Sequence, residues 1–241
     1  YIGESLELWV RGDYYISGIT VSRFFALHVV ALPLVLIALV FLHLVALHEV
    51  GAGNPEGVDI EKYLDDDGVP LDSVPFFPYK VLNALVAIGV FMTVFSIIMF
   101  FFPEGGGYFI EMANFQEANP LVTPDHIAPV WYYAPFYTML RAIPDPLGGL
   151  IVMASAVAIF FIVPWLDRSK VASIRYKGIY SKIAITLFGV SFLTLGYLGT
   201  VGVTEIRKTM SVICTVIYFA YFLLMPIYSK YETTKEVPER L

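Results

Sequence analysis

Histidine is the residue type with the clearest capacity for chemistry here, and three of the four histidines, His28, His43 and His48, share one stretch with no other ionisable group between Arg23 and Glu49. Fifteen residues of α-helix would set His28 and His43 about 22 Å apart along the axis and, at about 100° per residue, within roughly 60° of one face. Imidazole is a standard axial ligand to haem iron, so this spacing suits two haems stacked across a bilayer, one toward each leaflet. A plainer reading has each imidazole hydrogen-bonding a neighbouring helix. Spacing alone leaves both open. Two bis-histidine haems need four ligands, and only His28 and His43 are well placed, since His126 lies in a later loop and His48 at the end of the stretch. The opposing ligands would come from another helix, upstream or on a separate subunit. Pro33, between the pair, removes a backbone donor and is expected to kink the helix locally.

The elements that must position these residues follow from composition. Of 241 residues, 58% are hydrophobic and 15% charged, and the mean hydropathy is +0.72. Soluble domains carry roughly a quarter charged residues, so a water-soluble globule is excluded. An aromatic content of 16% excludes disorder. A single cysteine, Cys214, excludes a disulfide framework or a cysteine-ligated cluster. A net charge of −6 with no basic stripe gives no nucleic-acid footprint. The expected class is all-α, a polytopic transmembrane bundle in contact with membrane lipid. The sequence opens on Tyr1 rather than methionine and is treated as open to being a fragment.

A spanning helix needs about 20 apolar residues. Charge-free windows at Phe24 to His48, Val81 to Phe102, Pro146 to Leu166, Ile183 to Thr204 and Thr209 to Ser229 give five spans. None fits a signal peptide. The stretch His126 to Leu140, broken by Pro129 and Pro135, is too short to span and is expected to lie at the membrane surface. Alternating spans divide the flanks into one set with ten Lys and Arg and another with five. The richer set belongs to the cytoplasm, so the first span runs inward and the loop over residues 104–145 lies outside. The run Asp65-Asp66-Asp67 then reads as a solvated cytoplasmic turn.

The residues resemble a known family in two separate segments. Arg23-Phe24-Phe25-Ala26-Leu27-His28 through His43-Leu44-Val45-Ala46-Leu47-His48-Glu49 is similar to the fourth transmembrane helix of cytochrome b, as found in respiratory cytochrome bc complexes of proteobacterial type. Ala118-Asn119-Pro120-Leu121, Thr123-Pro124-Asp125-His126-Ile127, Pro129-Val130-Trp131-Tyr132 and Leu140-Arg141-Ala142-Ile143-Pro144 resemble that family's quinol-site loop in order and spacing. The likeness covers nearly the whole chain, more loosely over the last two spans.

By this resemblance residues 1–20 form an outer-side loop, 21–49 the haem-ligating helix that ends the family's N-terminal domain, and 50–241 its C-terminal domain. The last would hold four spans and the quinol-site loop 103–146. His28 would ligate the iron of a low-potential haem b near the outer face, and His43 that of a high-potential haem b near the cytoplasm. The opposing histidines sit on the family's first two spans, absent here, so this stretch would hold neither haem alone. The spacing exceeds the mitochondrial one by a residue, so the helix is expected to be overwound or kinked around Pro33. His48 matches the position that contacts ubiquinone at the inner site, where an imidazole can donate a hydrogen bond and a proton. The family's Lys-Asp pair early in the next helix is not reproduced by Pro78-Tyr79-Lys80-Val81-Leu82-Asn83, and Lys80 substitutes for it at most in part.

In the outer loop the family's glutamate position is Val130, which has no ionisable group, so Asp125, His126 or a water would take the proton released by quinol. An exposed carboxylate and a loop-holding histidine are the plainer readings. Tyr137 matches the quinol-site tyrosine, although tyrosine is enriched at membrane interfaces in any case. Pro129, Val130, Trp131 and Tyr132 would shape the pocket. Arg23 would clamp a haem propionate through its two-pronged guanidinium, or merely anchor the helix end. The resemblance implies the cytochrome b subunit of a quinol–cytochrome c reductase in a bacterial inner membrane, running a Q cycle that builds a proton gradient. Its partners would be a Rieske iron-sulfur protein, a c-type cytochrome and a second copy of the complex. Two other classes compete: a non-redox scaffold whose histidines only pack helices, and a proton-relay transporter, which the absence of acidic residues within the spans weakens.

Overall fold

A computed structural model describes residues 3–51, 53–107, 110, 115–117, 119, 121–122 and 127–241, all-helical with no strand among them. The chain divides into two compact units, residues 1–53 with 117–124, and residues 54–116 with 125–241.

In the first unit α1 (Gly3–Arg11) occupies the segment read as a loop, because Leu6, Trp9 and Val10 recur at helical spacing while Glu7 and Arg11 pair one turn apart. Gly12, at φ +80°, ends α1 by donating its N–H to the Leu8 carbonyl (2.7 Å). The Thr20 hydroxyl donates back to the Arg11 carbonyl (2.9 Å), and Arg23 Nη1 to the Trp9 carbonyl (2.5 Å). The φ of +80° at position 12 lies where a side chain is strained, so this tight return favours glycine.

One continuous helix of 33 residues follows, Gly18–Val50. It consists of α2 (Gly18–Ala26), a π-helical turn (Leu27–Ala31) and α3 (Leu32–Val50). Of the expected overwinding or kink around Pro33, overwinding is corrected: the extra residue is taken up by a widened, underwound turn just before the proline, with the Leu32 N–H bonded to the Leu27 carbonyl five residues back. The helix is apolar around its whole circumference, and none of its hydrophobic window is buried within this chain.

In the second unit the acidic run forms the solvated turn expected of it, where the Asp65 carboxylate accepts from the backbone of Asp67 (3.0 Å) and Val69 (2.8 Å). Then come α4 (Val81–Phe101), α5 (Ala134–Ala142), α6 (Pro146–Ala158), α7 (Val163–Leu166), α8 (Ile179–Thr200), α9 (Glu205–Leu223) and α10 (Met225–Tyr231). Among the described residues five helices are long and apolar enough to span, at Gly18–Val50, Phe76–Phe101, Pro146–Leu166, Ile179–Thr200 and Glu205–Leu223. The last two begin four residues before the charge-free windows, because Lys182, Arg207 and Lys208 lie inside the helix ends, where long cationic side chains reach the interface. Met139, Ala156, Ile159, Leu195, Tyr218, Phe222 and Met225 make the core, and the buried Tyr218 hydroxyl donates to the Ala156 carbonyl (2.8 Å).

The C-terminal tail is tied to the connections between spans. Glu232 accepts from the Ser181 N–H (3.2 Å), the Lys235 N–H donates to the Tyr176 carbonyl (2.8 Å), and Arg240 forks onto Asp72 at 3.0–3.3 Å. Glu56 joins the same region, paired with Arg175 and accepting from the Tyr176 hydroxyl, which raises the Tyr176 phenol above its ordinary 10.0. Hydrogen bonds from Arg240 hold the Asp72 carboxyl below its ordinary 3.8. A depressed carboxylate stabilises the docked tail fully above 3.8 and loses that contribution as pH falls through the lowered value. A carboxyl carbon NMR titration is expected to place Asp72 below 3.8 and to move it upward in Arg240→Gln; an Asp72 midpoint unchanged by the substitution contradicts the pairing.

Candidate functional site

The histidines His28, His43 and His48 belong to the first unit and residues 127–142 to the second, and each set has its own geometry. On the long helix His28 lies within the π turn, His43 within α3, and His48 in the last turn before Gly51 stops the helix. All three side chains are exposed, and none makes a hydrogen bond among the described residues. The donor set is two uncommitted imidazoles on one apolar helix, which fits one axial ligand for each of two haem irons and leaves the second ligand of each to be supplied from elsewhere. Arg23, the candidate propionate clamp, is exposed and uses one Nη on the Trp9 carbonyl, which leaves the rest of its fork free in this geometry.

The loop side is built from α5 upward. Asp125 and His126 lie outside the described residues. From Ile127 the chain runs to a turn in which the Tyr133 N–H donates to the Val130 carbonyl (2.9 Å), and this turn feeds α5. Trp131 and Tyr132 meet edge to face at 5.5 Å, with Tyr132 against Tyr133 at 4.7 Å. Trp131 is 69% exposed and Val130 43%, so both present surface, while Pro129 is half-buried. Val130 brings no polar group to the loop, as its side chain dictates. Tyr137, half-buried, points its hydroxyl toward the Ile127 carbonyl at 3.5 Å, too long to commit that proton.

What fixes Tyr137 is the docking of α5, which sequence reasoning did not foresee. The guanidinium carbon of Arg141 stands 4.4 Å from the Tyr137 ring centroid, and its Nη2 donates to the Leu198 carbonyl at the end of α8 (2.7 Å). The buried Thr138 hydroxyl lies 2.7 Å from the Leu195 carbonyl and 3.0 Å from that of Ala134, sharing one proton between them. Gly199 and Gly149 have no side chain because the carbonyls of Ala134 and Leu140 lie where a Cβ would be. The available signal was the repeat of small residues, Gly196 and Gly199 in α8 and Gly148 and Gly149 in α6, which permits close backbone approach. Arg141, Thr138 and Gly199 are thus positioning residues for the loop. No group of three or more His, Cys, Asp or Glu side chains forms a metal site among the described residues.

Five spanning helices, exposed imidazoles on the first and an amphipathic helix docked across two others define a multi-pass helical membrane protein. Residues 1–135 match the family described as cytochrome b(N-terminal)/b6/petB, and residues 117–219 that described as cytochrome b(C-terminal)/b6/petD. The chain belongs to the cytochrome b/b6 family, whose members carry haem b. It is 51% identical over its full length to a cytochrome b of Allochromatium vinosum, covering 60% of that protein, and 42% identical to one of Rickettsia bellii, covering 57%. A solved structure of a hyperthermophilic respiratory Complex III matches with a TM-score of 0.84 at 33% identity, over 96% of this chain and 56% of that one. The chain therefore spans somewhat over half the length of the curated relatives it matches. It is a multi-pass membrane protein of a bacterial inner membrane and of proteobacterial type, as the resemblance implied.

Because α5 is held through close backbone approach, Gly199→Leu is expected to destabilise the second unit by about 1–3 kcal/mol, the usual cost of overpacking. Thermal unfolding in detergent measures it, and an unshifted midpoint would show that α5 is not docked there.

Proposed function

We propose that this chain is the greater part of the cytochrome b subunit of a quinol:cytochrome c oxidoreductase of the Complex III kind. Quinol would be oxidised at the outer loop and quinone reduced at the opposite face, in a Q cycle that builds a proton gradient. The observation that carries this reading is the pair His28 and His43 on one membrane-length helix, in a chain whose family binds b haem. When bound, the two haems would accept and pass on single electrons. His28 would supply one axial nitrogen to the low-potential haem near the outer face, His43 one to the high-potential haem near the cytoplasm, and Arg23 would neutralise a propionate. The upstream helices of the same subunit would supply the opposing histidines. A Rieske iron-sulfur protein, a c-type cytochrome and a second copy of the complex complete the proposed assembly. In support, one relative is named cytochrome b/c1 and the solved neighbour is a respiratory Complex III.

At the outer loop Pro129, Val130, Trp131 and Tyr132 would wall the quinol pocket, and the Tyr137 hydroxyl, free of a strong partner, would hydrogen-bond the substrate. Tyr137 would orient quinol through this hydroxyl. With Val130 at the glutamate position, Asp125 and His126 are the proposed proton acceptors. At the other end of the helix His48 would donate a hydrogen bond to the quinone carbonyl and pass on a proton, with Lys80 as a supplementary donor.

The test is cytochrome c reduction driven by decylubiquinol in the parent complex. Tyr137→Leu is expected to lower turnover roughly ten- to hundredfold through loss of substrate orientation, with a smaller loss in Tyr137→Phe. A parent complex that does not oxidise quinol, or a Tyr137→Leu variant with undiminished turnover, contradicts the proposal.

A further inference from the structure

The long helix contains an irregularity that the proposed chemistry does not by itself explain. Between the α-helical segments α2 and α3, residues Leu27–Ala31 form a π turn, and His28 is its second residue. A single π turn inside an α-helix houses one residue more than the α-helical path, and such turns are rare enough to call for a local cause. The cause stands two residues downstream. Pro33 has no N–H, and in an unbroken α-helix its ring would press on the carbonyl four residues back, that of Val29. Val29 lies within the widened turn. The Leu32 N–H bonds the Leu27 carbonyl, so the next donor in a five-residue ladder would belong to residue 33, where none exists. The π turn can therefore neither continue past Pro33 nor close back into an α-turn without meeting its ring.

The consequence is directional. One residue of α-helix advances the chain by about 100° and about 1.5 Å. Housing one residue in the turn rotates everything before it, Arg23 and His28 included, by about that angle against everything after it, His43 and His48 included. His28 and His43 are then related as by fourteen α-helical residues, about 21 Å of rise, although fifteen separate them. We infer that the π turn Leu27–Ala31 stores one surplus residue between the two histidines and that Pro33 holds it there, which makes Pro33 the positioning residue that sets the direction of the His28 imidazole. This rests on the proposal that His28 and His43 each ligate a haem.

Removing the cause and removing the surplus should have opposite effects. In the full-length subunit within its parent complex, Pro33→Ala allows the turn to close into α-helix, which turns His28 away from its haem. The expected result is a shifted or lost low-spin EPR signal and optical band for the haem on His28, with the haem on His43 unchanged as an internal control for assembly. Deleting Val30 from the Pro33→Ala variant removes the surplus residue and should restore the signal. Should Pro33→Ala alone fail to assemble, the double change carries the test: with Val30 deleted as well, the helix has neither the proline nor the surplus residue and should assemble with both haems. An unaltered EPR signal in Pro33→Ala, or no haem on His28 in the double change, overturns the inference. A native complex with no b haem at all overturns instead the proposal on which it rests.

Discussion

In hydrocarbon no water stands ready to bond a free backbone group, so the hydrogen-bond ladder inside each spanning helix is the constraint on which this structure depends. Every departure from it has to be resolved locally. Pro33 breaks the ladder by removing a donor, and the chain answers with a bond to a carbonyl one residue further back. Gly51 stops the same helix at φ +80°, where its N–H still reaches the Leu47 carbonyl (2.9 Å). Two of the residues with proposed chemistry sit at these departures, His28 inside the widened turn and His48 in the last turn before the stop, while His43 lies in regular helix between them.

The outer loop is governed by the same rule from the opposite direction. Residues 127–133 are irregular backbone leading into α5, whose Thr138 and Arg141 bond carbonyls toward the end of α8. Glycine at 149 and 199 lets the backbones meet, and the polar contacts then fix the register. Tyr137 inherits its place from this docking, with Arg141 against its ring. The loop can thus present an aromatic and largely apolar wall without a carboxylate at Val130, because its shape is determined by the helix behind it.

Much of this was legible in the residues. Five uninterrupted apolar stretches predict five spans, since a bilayer allows few other structures, and the segment over residues 126–140 reads as surface because two prolines break it. The errors were at boundaries. Lys182, Arg207 and Lys208 fall inside helix ends, where a rule that halts at charge stops too early. Within residues 1–20, which the resemblance describes as a loop, Arg23, Thr20 and Gly12 fold back the short helix α1. The histidine spacing was visible, and so was Pro33; that the surplus residue would go into a widened turn was not, because sequence spacing counts residues and not the carbonyl each N–H selects. The docking of α5 depends on contacts between residues 57 apart in sequence, Thr138 with Leu195 and Arg141 with Leu198, to which local periodicity is blind.

The central claim is that His28 and His43 each ligate a different b haem in a two-haem electron path. It is tested most directly by dithionite-reduced minus oxidised optical spectra of the purified parent complex, recorded beside His28→Leu and His43→Leu variants. Two b-type signals, one lost with each substitution while the other persists, are the expected result. A single signal, or two signals that survive both substitutions, would contradict it.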